Sequence, residues 1–219
     1  AFPVVYGEVL NPNAKKTILI YGHYDVQPED PIELWDSDPF EPEIRGKKIY
    51  ARGATDDKGN LLATILAIKT LIEVNGTIPI NVKFFFEGEE EIGSPNLKRY
   101  MEKHKHLLSA DYTILCDRGI HESGRPQMYL GNKGITHAEI TINQAKRDVH
   151  SGQAPLIPNA AWQLIWLLNK MKDDSDQILV DGYERDVLQP TEEEIELLDK
   201  IPFDIKEYCD IYGIEDILG

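Results

Sequence analysis

Cysteine is nearly missing from this chain, with two thiols, Cys116 and Cys209, in 219 residues. So few cannot build a disulfide framework, and their scarcity fits a reducing cytoplasm. Cys116 lies inside an apolar run and reads as a small core residue. Long hydrophobic runs are lacking as well. No apolar stretch approaches the roughly 20 residues of a membrane span, and no leader-like segment is visible. The chain opens at Ala1 in what reads as the inside of a strand, so a piece of a longer protein is expected. Positive charge is scarce: 23 Lys and Arg against 38 Asp and Glu give a formal net charge of −15. Nucleic acid and anionic membrane are therefore poor partners, because both need a basic patch that displaces counterions. Solubility is the plain consequence of the acidity. Also absent are a phosphate-binding loop, a GxSxG elbow, a CxxC pair and an HExxH helix.

The apolar content is 42%, enough for one large domain or one domain and part of a second. Thr17–Tyr21 (TILIY) is a short continuous apolar run, the pattern of a strand buried on both faces, ended by Gly22 and His23. Lys58 to Val74 carries a helical stripe of Leu61, Leu62, Ile65, Leu66, Ile68, Leu71 and Ile72, with Gly76 as its cap. Asn81–Phe86 is the next strand. Ser94 and Pro95 open a helix to about Lys103 with serine as N-cap. Asp111–Cys116 (DYTILC) is a third buried strand. This alternation implies an α/β fold, a mostly parallel sheet with flanking helices.

The pattern changes near residues 128–132. Ile135–Ile142 alternates apolar and polar, as a strand wet on one face does. Pro158–Met171 is amphipathic. Thr191 and Glu194 form a capping box opening a helix to about Lys200, and Asp204 starts a last short helix ending near Gly213. The expected division is residues 1–130 as one domain and 131–219 as part of an α+β second domain.

Acidic and histidine residues collect where these runs stop, which is where α/β proteins keep their chemistry. His23 and Asp25 follow the first strand, as a metal-ligating imidazole with its orienting carboxylate or as a strand-end histidine beside a turn aspartate. Asp56 and Asp57 begin a helix. Either can cap it, and Asp56 can equally bridge two cations. Glu89, Glu90 and Glu91 follow Phe84–Phe86 closely, after Glu87 and Gly88. Like charges packed there raise at least one carboxyl pKa unless a metal is present. Glu91 as ligand beside Glu90 as base explains them, with Glu89 exposed. Asp117 ends the third strand as ligand or plain strand-end residue. His150 either donates to a developing oxyanion across a cleft or is a loop histidine.

GHYDVQP (22–28), GATDDKG (53–59) and EGEEEIGS (87–94), in this order, resemble the co-catalytic metallopeptidase family that includes carnosinase, cytosolic nonspecific dipeptidase, carboxypeptidase G, acetylornithine deacetylase and succinyl-diaminopimelate desuccinylase. VQP and RDVHSG (147–152) look most like the dipeptidase branch. The resemblance implies a zinc-aminopeptidase-like catalytic domain and a partial lid or dimerisation domain. It also implies His23 and Asp117 on one metal, Asp56 bridging two, and Glu91 on the second. Glu90 would be the general base, with Asp25 orienting His23. The Asp56–Asp57 peptide would be cis, and His150 would reach the partner subunit's site in a homodimer of the full-length protein. Relatives complete the second metal site with a late histidine. His150 is the last histidine here, so this chain alone is expected to be inactive.

The implied reaction is hydrolysis of a dipeptide amide with two divalent ions, zinc first and manganese or cobalt as alternatives. The rivals are an N-acyl-amino-acid deacylase on the same site and a non-catalytic interaction module. Retention of Glu90 argues against the module. A calcium-binding protein is disfavoured by His23 and by the lack of an EF-hand loop.

Overall fold

The computed structural model describes residues 2–120, 124, 126–129 and 131–218. Two compact units result, Ala1–Asn132 and Lys133–Gly219.

The first unit is built on β1 (Val5–Val9), β2 (Thr17–His23), β5 (Asn81–Glu87) and β6 (Tyr112–Leu115), in the order β1-β5-β2-β6. The apolar runs read as buried strands pair in parallel, β2 with β5 from Thr17↔Asn81 to His23↔Glu87 and β2 with β6 from Ile18↔Tyr112 to Tyr21↔Leu115. Only β1 runs antiparallel, at one edge of this sheet. Parallel pairing brings the carboxyl ends of β2, β5 and β6 to one edge. The segments holding Asp25, Glu90 and Asp117 all leave the sheet there.

Side chains alternate across the strands. Ile20, Val82 and Phe86 pack with Ile78 against Leu61 and Ile68 of α1 (Lys58–Asn75), forming the core. Leu19 and Phe85 are buried as well. The Phe85 ring lies 6.0 Å from Tyr21 and 5.5 Å from Tyr100 of α2 (Leu97–Lys103). Helix α1 ends at Gly76, whose φ of 75° is left-handed and whose N–H reaches Ile72 O. That backbone favours glycine. Leu62, Ile65, Leu66 and Leu71 remain exposed, so the apolar stripe is wider than the face the sheet covers.

Four expectations need correction or addition. Strand β6 is exposed along its length, not buried on both faces, because it is an edge strand with β2 as its neighbour. Ser94 does not cap α2: Asn96 stands at the N-cap without a capping side-chain bond, and Ser94 is used elsewhere. Ile135–Ile142 forms no strand, since alternation makes a strand only where a partner strand is present. A small hairpin, β3 (Glu43–Arg45) with β4 (Lys48–Tyr50), was not legible from its short, largely polar strands.

A single turn, α3 (Lys105–Leu108), follows α2 in the first unit, and in the second unit α4 (Ala160–Met171), α5 (Glu192–Leu198) and α6 (Ile205–Tyr212) fall where the sequence put helices. Thr191 and Glu194 make the reciprocal capping box. Asp204 accepts from Glu207 N at 3.0 Å. Asn159 Oδ1 accepts from Ala161 N at 2.9 Å and Trp162 N at 3.3 Å. Asn159→Ala should therefore cost α4 about 1 kcal/mol, read as a lower urea midpoint for loss of helical circular dichroism.

Candidate metal centre

His23 is the last residue of β2 and is fully buried, at 0% exposure. Gly22 makes room for what surrounds it. A Cβ there would lie 2.4 Å from Leu61 Cδ2 and 2.5 Å from Asp57 Oδ2, so the start of α1 packs directly on the strand end. Asp57 is also 0% exposed, and its Oδ2 accepts the His23 backbone N–H at 3.2 Å. It occupies the N-cap position of α1 without a capping side-chain bond. Asp57 thus supports the histidine rather than capping the helix. Burial, foremost, pushes the Asp57 carboxyl up. The Asp56–Asp57 peptide is cis.

The two ring nitrogens of His23 face different surroundings. Nδ1 lies 3.2 Å from Asp25 O and 3.3 Å from Asp25 Oδ1. A proton on Nδ1 satisfies these acceptors and leaves Nε2 with a lone pair. Nε2 is 2.9 Å from Asp56 Oδ1, 3.7 Å from Asp117 Oδ1 and 3.9 Å from Glu90 Oε2. It is buried yet makes no hydrogen bond among the described residues. Atoms of His23, Asp56 and Asp117 all lie within 4.8 Å of one another.

An imidazole lone pair turned toward carboxylate oxygens is repulsive unless a proton or cation lies among them. The donor set fits a divalent ion: one nitrogen and carboxylate oxygens, without thiolate, suit zinc, manganese or cobalt. The electrostatics agree. Burial draws the His23 pKa down, but Asp117, Glu90, Asp56 and Asp57 outweigh it and the net shift is upward. Glu90 is also raised, by burial first and then by Asp117, Glu91 and Asp25, against an opposing pull from His23.

The three glutamates differ sharply. Glu89, expected to be exposed, is 7% exposed. It accepts from Phe2 N at 3.0 Å and Asn96 Nδ2 at 2.8 Å. The Asn96 bond leads in holding its carboxyl below the usual range. Phe2 lies far away in sequence, which is why adjacency to Glu90 gave no hint of this. Asp25 grips the same turn from the front, its Oδ1 accepting from Glu90 N at 3.3 Å and Oδ2 from Glu91 N at 3.0 Å. Glu91 itself turns to Gln27, whose Nε2 donates to Glu91 Oε2 at 2.8 Å and to Glu91 O at 3.2 Å.

Five residues singled out from the sequence therefore meet: His23, Asp25, Asp56, Glu90 and Asp117. Glu91 borders the group through its own turn and lies outside the tight cluster of His23, Asp56 and Asp117. His150 belongs to the second unit, is exposed, and accepts from Gly152 N at 3.0 Å through Nδ1. Gln27 and Asn96 were missed, since an amide in a loop carries no signal until its partner is known.

Known proteins share this architecture. The profile of peptidase family M20/M25/M40 matches residues 19–200. The human Beta-Ala-His dipeptidase is 34% identical over 99% of this chain and 43% of its own length. The Cys-Gly metallodipeptidase dug1 of Schizosaccharomyces pombe is 31% identical over 97% of this chain and 46% of its own. Among solved structures, the M20 family metallo-carboxypeptidase Sso-CP2 of Sulfolobus solfataricus superposes with a TM-score of 0.85 at 42% identity, over 98% of this chain and 49% of that one. The chain spans under half the length of these relatives. Strand ends, site order and the match over residues 19–200 agree on one assignment: the chain belongs to peptidase family M20/M25/M40.

Proposed function

We propose that this chain carries the greater part of a metal-dependent peptidase site that hydrolyses the amide bond of dipeptides or small peptides. The observation that carries the reading is His23 Nε2, buried beside Asp56 and Asp117 with no hydrogen bond to any of the described residues. These three side chains would hold one divalent ion, zinc by preference. Asp56 and Glu91 would hold a second. A bound ion polarises the scissile carbonyl and lowers the pKa of water.

The protein's own groups do the rest. Asp25 keeps the Nδ1 proton of His23 in place and leaves Nε2 free to ligate. Glu90 takes a proton from water and returns it to the leaving amine. Its carboxylate lies 3.9 Å from His23 Nε2, near enough to reach a water held at the ion. In a cytoplasmic homodimer of the full-length protein, His150 of one subunit would supply the oxyanion donor to the site of the other. The names of two relatives, a Beta-Ala-His dipeptidase and a Cys-Gly metallodipeptidase, support a dipeptide rather than an N-acyl amino acid as the substrate proposed for this chain.

Two measurements test this. Zinc titration against a chelator should give saturable uptake that Asp56→Ala with Asp117→Ala removes. The protein in its full natural length should cleave dipeptides faster than N-acyl amino acids. Failure of zinc uptake sinks the site, and preference for N-acyl substrates sinks the substrate class.

A further inference from the structure

The loop bearing Glu90 and Glu91 leaves the sheet at Glu87 and closes at Ser94. Glu87 pairs opposite His23 across β2 and β5, and its carbonyl accepts from Tyr24 N at 2.8 Å. Its main chain is therefore fixed. Its side chain is 3% exposed and follows a run of three phenylalanines, where an apolar residue would pack as readily. A carboxylate buried there needs donors, because an unpartnered one is costly. Two hydroxyls meet that need at the same oxygen: Tyr21 Oη donates to Glu87 Oε1 at 2.5 Å and Ser94 Oγ at 2.8 Å.

Ser94 has a φ of 50°, left-handed for a residue other than glycine. Such a backbone persists where the surroundings over-determine it. Here they do, because Ser94 N also donates to Glu89 O at 2.8 Å and Gly93 N to Glu90 O at 2.8 Å. Strand alternation puts Glu87 on the face of Tyr21 and Phe85, behind the loop it holds.

We propose that Glu87 is a positioning residue, whose buried carboxylate clasps Tyr21 of β2 and Ser94 at the far end of the loop and so fixes where Glu90 and Glu91 stand. It touches no reacting atom. It acts through the loop, and its relevance to catalysis rests on the roles given above to Glu90 and Glu91. Asp25 holds the loop's amides from the front, and Glu87 ties its two ends to each other and to the strand bearing His23.

The test removes the donors one at a time, with Tyr21→Phe, Ser94→Ala and the double variant. Amide hydrogen exchange, followed by mass spectrometry, compares residues 88–94 with β2 in the same molecule. Each single variant should speed exchange in the loop roughly tenfold, the scale expected for one lost hydrogen bond to a charged group. The double variant should do more, while β2 is unchanged. Zinc affinity by chelator competition should fall about ten- to a hundredfold, as for other outer-shell losses. Glu87→Gln, which keeps an acceptor oxygen in place, should retain most of the protection that Glu87→Ala loses. Unchanged loop exchange in the double variant overturns the clasp, and so does a rise spread equally over β2. A wild-type protein that takes up no zinc overturns the metal roles of Glu90 and Glu91 instead, and the exchange result still decides the clasp.

Discussion

Glu90→Gln should lower hydrolysis by the full-length protein roughly 10²–10⁴-fold, the range for loss of a positioned general base, while metal uptake stays near wild type. Glutamine keeps the shape and an acceptor oxygen but cannot take a proton. The backbone of residue 90 is held by Asp25 at 3.3 Å, so the substitution leaves the loop in place. Glu90 Oε2 lies 3.9 Å from His23 Nε2, close to where the candidate ligands converge but farther than Asp56. Rate and affinity should therefore separate. Kinetics with dipeptide substrate, alongside metal analysis of the same preparation, makes the comparison. Turnover within about threefold of wild type removes Glu90 from the proton transfers.

His23→Ala should have the largest effect on metal. Loss of an outer-shell partner costs about ten- to a hundredfold in affinity, and loss of the buried nitrogen ligand should exceed the upper end of that range. The wild-type protein should also show a pH dependence that the variant lacks. Burial opposes protonation of His23, but Asp117, Glu90, Asp56 and Asp57 prevail, so its folded pKa lies above the ordinary 6.5. In the metal-free protein, this protonation stabilises the fold fully below the unfolded pKa, and the benefit fades as pH rises through the folded value. Metal needs the neutral ring. Apparent zinc affinity should therefore fall as pH drops through the raised value, as the proton and the ion compete for Nε2. A zinc affinity in the alanine variant equal to wild type across that range excludes His23 as a ligand.

Much of this was legible because certain signals are local. Continuous apolar runs marked β2 and β5, and helical spacing with Gly76 marked α1. Chemistry at the ends of those runs pointed to His23, Asp56, Glu90 and Asp117 before any geometry was known. What was not legible depends on partners distant in sequence. DYTILC reads as buried whether or not anything covers it, yet β6 lies at an edge. Three adjacent glutamates look alike in a string, but Phe2 and Asn96 claim Glu89, Gln27 claims Glu91, and Glu90 faces the histidine. Ser94 before proline had the form of a helix cap, and Glu87 recruited its hydroxyl. Ile135–Ile142 had the rhythm of a strand and no strand to pair with among the described residues.

Asp25 meets the His23 ring with one side of its carboxylate and carries the Glu90 and Glu91 amides on its two oxygens. The proposed ion capture and proton transfer would thus share a single mechanical pin. A substitution at Asp25 would then disturb both together, so the two could be tuned apart only at other residues around the histidine.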